Sequence, residues 1–524
     1  MKQLFYRKKA YLYVTVFFSG MTALAVEFLA SRLLGNVFGT SNIVWASIIG
    51  LILIYLSLGY WLGGKLADRS PFGKTLFTIL AWAGFSIGFI PLVSRPILKL
   101  SANAFDLLQI PILFGSFTVV LILFSIPVTL LGMASPFAIK LLLRDTNKTG
   151  GTSGKISALS TLGSFLGTFI TVLVLIPLIG TYRTFIIFSL VMLLISLIGL
   201  IIFEEWRAIL PYFWMPIIIL LLLIFGIRGT DKSSEGLVYE TESSYNYIQV
   251  LEDDDYRFLR LNEGQGMHSI YHPYILNYGG PWSQVLVAPF FNEAPHSPSS
   301  IERIAILGLA AGTTARQASV VYPNTIIDGY EIDPKIVQVG KQYFGMDLPM
   351  LNIITEDARW GISHSPYVYD IISVDAYRPP YIPPHLTTVE FFEIINSRLS
   401  EDGVMVINVG RSPQNRELID DLSTTIGKIF PKIFIVDIPE SFNTMIFATK
   451  ARNTSWNNFL NNREVLESSS VPGLLIEAMD ISIAGKAQES LTGRVFTDDL
   501  APIEWITNKI VLDFVFSPQI GLEP

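Results

Sequence analysis

No cysteine occurs in the 524 residues, which excludes disulfides and thiolate metal sites and removes redox chemistry as a guide to compartment. Histidine is scarce too. The five lie beyond residue 267, none in an HExxH or similar spacing, so no metal site is expected. Charge is the third shortage: 15% of residues are charged against 51% apolar, and the mean hydropathy is +0.47. A chain of this length with so little charge is expected to place part of itself in lipid.

The charges present are segregated. Residues 1–230 hold 17 Lys/Arg against 6 Asp/Glu, whereas residues 231–524 hold 20 against 38, for a chain total of −7. An acidic second half disfavours nucleic acid as a partner and suits cationic ligands. Seven apolar runs long enough to cross a bilayer lie near 10–34, 42–63, 75–94, 111–135, 156–179, 182–203 and 209–227. They define a multi-span membrane domain over 1–228. Lys2, Arg7, Lys8 and Lys9 precede the first run, which is too long for a signal peptide and has no small-residue cleavage site. Lys65, Arg69 and Lys74 follow the second, and Lys140, Arg144, Lys148 and Lys155 the fourth. Their excess in alternate loops places the N-terminus in the cytoplasm and the protein in the cell membrane. Seven crossings would put the second half outside; Pro111, Pro127, Pro211 and Pro216 leave six or eight open, and with them its side.

Glu27 and Arg32 stand within the first run, either as a functional pair or as a buried pair fixing helix packing. The Gly64–Arg69 stretch is similar to a loop of major facilitator transporters, but about half of their helices are present, so a complete transporter is not expected. Small residues over Ser160–Gly167 predict close helix approach.

A polar linker over 229–240 leads to a small β unit at 241–300 and a Rossmann-like domain at 301–524. Strands are expected at Tyr247–Leu251 and Arg257–Leu261, then at Ile304–Leu307, Thr325–Tyr330, Asn352–Thr355, Asp370–Val374 and Gly403–Asn408. Strand–helix alternation in the later set predicts a parallel, doubly wound α/β sheet, with ligands at the carboxyl ends of its strands. The turn Gly308-Leu309-Ala310-Ala311-Gly312 permits close backbone approach and opens a helix with free N–H groups. Glu331 ends the second of these strands, where a carboxylate accepts ribose hydroxyls, and Asp357-Ala358 stands where adenine would be read. The three in order point to an adenosyl ligand.

These residues resemble the polyamine aminopropyltransferases, the spermidine synthase family, and more closely their membrane-fused relatives. Tyr245-Asn246, Leu261–Gln265, the glycine turn, Glu331–Asp333, Asp357-Ala358, Val374-Asp375, Leu386–Phe392 and Thr497–Glu504 carry the resemblance. It implies a transferase that moves an aminopropyl group from decarboxylated S-adenosylmethionine to an amine, without a metal. Asp375 matches the catalytic Asp and Tyr274 an assisting Tyr. Gly308, Gly312, Gln265, Glu331, Asp333, Asp357 and Ala358 match the cosubstrate site. Tyr245, Arg378, Asp498 and Asp499 fall on the acceptor side. Homo-oligomers are common in the family, although bulky spans would restrict them.

Two departures bear on the reaction. Ala311 replaces an acidic residue of the family's turn, and Arg378 stands where a second Asp meets the diamine. Arg378 suits a carboxylate, so methyl transfer from intact S-adenosylmethionine to a membrane-proximal acceptor, or ligand binding without catalysis, stay open beside aminopropyl transfer.

Overall fold

The computed structural model describes residues 2–38, 42–108, 112–143, 149–226, 234–262, 266–377, 381–412 and 415–516. It divides into two compact units, Met1–Ser233 and Ser234–Pro524.

The first unit is helical. Its elements are α1 (Lys2–Phe38), α2 (Asn42–Arg69), α3 (Gly73–Leu108), α4 (Ile112–Gly132), α5 (Ala134–Leu142), α6 (Thr149–Ile170), α7 (Ile176–Ile179), α8 (Thr181–Phe203) and α9 (Trp214–Leu221). Among the described residues, six helical stretches are long and apolar enough to cross a membrane: Tyr6–Asn36, Val44–Arg69, Gly73–Leu98, Phe117–Leu142, Thr149–Ile179 and Thr181–Phe203. Seven were expected. The run at 209–227 instead breaks into a 3₁₀ turn at Trp206–Ile209, α9, and a π turn at Leu222–Gly226. Pro211 and Pro216 cannot donate backbone hydrogen bonds, and the apolar helical stretch left, Trp214–Phe225, falls short of the ~20 residues a crossing needs. Pro127, by contrast, lies inside α4 without ending it, and Pro111 lies outside the described residues. The small residues act as expected. A side chain at Gly163 would begin 1.9 Å from the Phe17 carbonyl oxygen, and one at Gly167 would begin 2.2 Å from that of Met21, so α1 and α6 pack backbone to backbone. Ser164 Oγ donates to the Gly20 carbonyl at 3.1 Å.

The second unit opens with four antiparallel strands in order β1 (Leu237–Glu242), β2 (Tyr247–Asp253), β3 (Tyr256–Leu261) and β4 (Ser269–Tyr271). The expected linker therefore ends early, because β1 begins inside it. A short helix α10 (Pro281–Gln284) precedes the main sheet. There follow β5 (Arg303–Leu307), α11 (Thr313–Val321), β6 (Ile326–Tyr330), α12 (Pro334–Tyr343), β7 (Leu351–Ile354), α13 (Ala358–His364), β8 (Tyr369–Val374), α14 (Val389–Arg398) and β9 (Leu399–Gly410). The chain ends with α15 (Glu417–Ile426), β10 (Lys432–Asp437), β11 (Asn443–Thr449), α16 (Trp456–Glu467), α17 (Gly473–Ala484), β12 (Lys486–Ala487) and α18 (Ile503–Phe516). Strand order is β12-β10-β11-β9-β8-β5-β6-β7. Strands β5 to β9 are mutually parallel, as expected; β10, β11 and β12 add an antiparallel edge.

The sheet is apolar on both faces. Ile304 and Ile306 join one core with Phe291, Phe434 and Phe447, while Ala305 and Leu307 join another with Phe391 and Phe392. The order reverses beside β5, which opens a crevice at the carboxyl ends of β5 and β8.

Candidate functional site

The glycine turn after β5 is fixed from three sides. Gly308 has φ +96° and Gly312 φ +87°, a region that favours glycine. A side chain at Gly308 would begin 2.5 Å from the Asp375 carbonyl oxygen, so only glycine lets the turn lie against the end of β8. Ala311 N donates to Ser269 Oγ at 2.9 Å, and Thr313 Oγ1 donates to the Ile270 carbonyl at 2.9 Å, which attaches β4 to the turn and to α11. Ala311 itself is buried beside Ile248, Val250 and Leu259 of the small sheet.

Glu331 follows β6 and is buried, 8% exposed. Its carboxylate accepts from Ala310 N at 2.9 Å and from Asp333 N at 3.0 Å. Burial pushes its pKa up to about 7, although these backbone hydrogen bonds pull the other way. Asp333 is wholly buried and committed to structure. It caps α12 through Lys335 N at 2.9 Å and accepts from Ser243 Oγ at 2.5 Å and Asn246 Nδ2 at 3.0 Å. It therefore ties the small sheet to the large one.

Asp357 caps α13 by accepting from Trp360 N at 3.0 Å, and its other oxygen meets His385 Nε2 at 3.0 Å. Ala358 begins that helix and is buried. The C-terminal segment folds back onto the same corner. Arg359 grips Asp498 with two hydrogen bonds of 2.7 Å, and Thr388 Oγ1 donates to Asp498 at 2.7 Å. The Arg359 hydrogen bonds hold the Asp498 carboxyl below its usual range. Its charge is thus already matched by a guanidinium, and Asp499 is exposed beside it.

Asp375 stands just past β8, partly buried, with its N–H on the Leu307 carbonyl at 2.9 Å. Asn408 Nδ2 donates to Asp375 Oδ1 at 3.0 Å. Burial raises the Asp375 pKa to about 7, against the pull of that amide. Tyr377 Oη donates to the Asn408 carbonyl and accepts from Gly410 N, both at 3.0 Å, so residues 375–377 are laced to β9. Asp375, Gly308 and Glu331 are thus brought around one turn at the carboxyl edge of the sheet.

Four more residues are expected at the site. Tyr274 is 88% exposed, with its ring beside His272, and Tyr245 is 48% exposed. Gln265 and Arg378 lie outside the described residues. No group of three or more His, Asp or Glu able to hold a metal occurs among the described residues. Asn408, Tyr377, Arg359 and His385 carried no signal in the sequence; their roles come from strands and loops far apart in the chain.

Comparison with known proteins falls on the same unit. Residues 293–462 match the spermine/spermidine synthase domain. A probable polyamine aminopropyl transferase of Bifidobacterium longum is 31% identical over 54% of this chain and 65% of its own length. A polyamine aminopropyltransferase of Vibrio vulnificus is 28% identical over 55% of this chain and 97% of its own length. A crystal structure of a probable spermidine synthase from Corynebacterium glutamicum aligns with 49% of this chain and 96% of its own, at 19% identity and a TM-score of 0.37. The chain is thus spermidine synthase-like over its second unit, which follows a unit of apolar helices.

Proposed function

We propose that the chain is a membrane-anchored aminopropyltransferase that moves the aminopropyl group of decarboxylated S-adenosylmethionine to an amine. The observation that carries this is the Asp375 carboxylate, one oxygen held by Asn408 and the other untouched by any described residue, beside the glycine turn. The matched synthase domain includes these residues, and the relatives' names give the reaction class.

The chemistry follows from that placement. The acceptor amine, with a solution pKa of roughly 10, must lose a proton to attack. Its nitrogen bonds to the methylene carbon beside the sulfonium; the carbon–sulfur bond breaks, its electron pair goes to sulfur, and neutral methylthioadenosine leaves. The proton shed by the amine passes to Asp375, whose pKa of about 7 makes it a competent base near neutrality. Glu331 would accept the ribose hydroxyls and Asp357-Ala358 would face adenine. Gly308 and Gly312 would let the main chain approach the nucleoside. Tyr274, exposed here beside His272, would assist the proton transfer. Ala311 adds no carboxylate and Asp498 is matched by Arg359, so Asp375 would carry most of the attraction for the cationic amine.

Six crossings would return the chain to the side from which α1 enters, and the basic N-terminal residues favour the cytoplasm for that side. The test uses the full chain in detergent, with putrescine and either decarboxylated or intact S-adenosylmethionine, and reads products by mass spectrometry. Aminopropylated amine and methylthioadenosine are expected, and Asp375→Asn should abolish both. Methylation from the intact cosubstrate instead would refute aminopropyl transfer.

A further inference from the structure

Among the described residues, Asn408 is the one buried side chain that hydrogen-bonds the Asp375 carboxylate, and the reaction proposed above does not require it. It lies near the carboxyl end of β9, next to β8 in the sheet. Val374 pairs with Ile407, so Asp375 and Asn408 are the next neighbours at the carboxyl edge. Asn408 is 5% exposed. Its Nδ2 donates to Asp375 Oδ1 at 3.0 Å, whereas its own Oδ1 is buried with no partner among the described residues. A primary amide offers two donors and an acceptor with two lone pairs, and this one makes a single described side-chain bond. A buried acceptor left unmet is disfavoured, so packing alone does not explain an Asn rather than a Leu of similar volume.

The surroundings leave Asp375 little other support. Its N–H is held by the Leu307 carbonyl, and its carbonyl lies against Gly308, so the β5 turn fixes only its main chain. From its own segment Tyr377 is the titratable neighbour, and its phenol is committed to the main chain of Asn408 and Gly410. Glu331, across the β5 turn, is committed to Ala310 N and Asp333 N. From β9 only Asn408 reaches the carboxylate. Among the described residues, burial and the Asn408 amide are what shift the Asp375 carboxyl, in opposite directions.

Resting on the proposed aminopropyl transfer, we propose that Asn408 is a positioning residue for the reaction: its amide fixes Asp375 Oδ1 and leaves Oδ2 as the oxygen presented to the amine. The amide has a second effect. An N–H aimed at Oδ1 favours the ionised carboxylate, the form that can take a proton, so Asn408 sets both the direction and the readiness of the base. Turned over, it would oppose its oxygen to the carboxylate, so ionisation of Asp375 selects the orientation observed.

The experiment compares the full chain with Asn408→Leu, Asn408→Gln and Asn408→Ser, in detergent, with decarboxylated S-adenosylmethionine and putrescine. In Asn408→Leu, kcat should fall roughly ten- to hundredfold, the loss of one hydrogen bond to a charged group. KM for the cosubstrate should stay within about twofold, since the amide's hydrogen bond goes to Asp375. The acid limb of the kcat–pH profile should move to higher pH, and Asn408→Gln should recover part of the rate. An unchanged acid limb in variants that still bind methylthioadenosine would overturn the proposal, because a merely structural loss lowers the rate equally at every pH. If Asn408→Leu does not fold, the Ser variant, which retains a smaller donor, carries the same comparison. If wild type transfers nothing, aminopropyl transfer fails as a function. The Asn408 proposal is then read from infrared difference spectra of the Asp375 carboxyl, with Asp375→Asn as the blank. Its protonation midpoint should rise in Asn408→Leu, and an unmoved midpoint would refute the role.

Discussion

Replacing Glu331 with Gln should remove a pH dependence from nucleoside binding. In the folded chain Glu331 is buried and its pKa is pushed up from 4.5 to about 7. Each unit corresponds to 1.36 kcal/mol, so burying the anion costs about 3 kcal/mol, which donors from a ligand would relieve. Its two oxygens already accept from Ala310 N and Asp333 N, and a carboxylate has lone pairs left for two ribose hydroxyls. Those hydroxyls are expected to bind the ionised form. With a pKa of about 7, roughly a tenth of the sites are ionised at pH 6 and nine tenths at pH 8, so methylthioadenosine should bind about tenfold tighter at the higher pH. Gln keeps one acceptor oxygen but turns an N–H toward a backbone N–H, leaving one donor unmet at ~1–3 kcal/mol. The variant should therefore bind weakly, without a pH slope. Calorimetric titration of the full chain in detergent at the two pH values measures this. Asp375→Asn is the control that should keep the slope, because it removes the other carboxylate poised near neutrality. Equal affinity of wild type at both pH values, or the same slope in the Gln variant, would show that Glu331 does not hold the ribose.

The same two carboxylates predict how stability varies with pH. Folded Asp375 and Glu331 keep their protons to about pH 7, whereas the unfolded chain releases them near 4. Across that interval the folded state binds more protons, so denaturant midpoints should fall as pH rises from about 4 to about 7, and less so in the double variant Asp375→Asn/Glu331→Gln. Gly308→Ala should lower stability by ~1–3 kcal/mol and abolish methylthioadenosine binding, since the new methyl meets the Asp375 carbonyl at a positive φ. Wild-type melting behaviour in this variant would refute the tight turn. Arg359→Ala removes the bidentate partner of the half-exposed Asp498, a pair worth ~1 kcal/mol or less. Its sharper readout is faster proteolysis around 497–500, and an unchanged cleavage rate would mean that Thr388 and Glu390 suffice to hold the segment. Finally, the absence of cysteine makes single-cysteine labelling direct. With six crossings, Tyr6→Cys and Ser490→Cys should react with an impermeant thiol reagent from the same side of the membrane, and reaction from opposite sides would require an odd number.

Much of the architecture was legible because it depends on composition and local pattern. Apolar runs uninterrupted by charge mark helices whatever their neighbours are, and short β-branched runs ending in glycine or a carboxylate mark the parallel strands. The exceptions have local causes that act only in three dimensions. The run at 209–227 is apolar enough for a span, but around Pro211 it runs through turns and its helix starts only at Trp214, whereas Pro127 is absorbed inside α4. The β10–β11 edge pairs antiparallel, a choice made by the neighbouring β9.

The site divides in the same way. Residue type and position at strand ends determined that Gly308, Glu331, Asp357 and Asp375 are the residues to examine, because a doubly wound sheet collects its strand ends along one edge. Tertiary structure alone decided their state. It assigned Asp333 to a helix cap and to the small sheet, and it neutralised Asp498 with Arg359. It also placed the amide of Asn408 against Asp375, across 33 residues of chain. Hydrogen-bond partners and burial, which set the charge of a carboxylate, depend on which segments the fold brings into contact, and no local pattern encodes that.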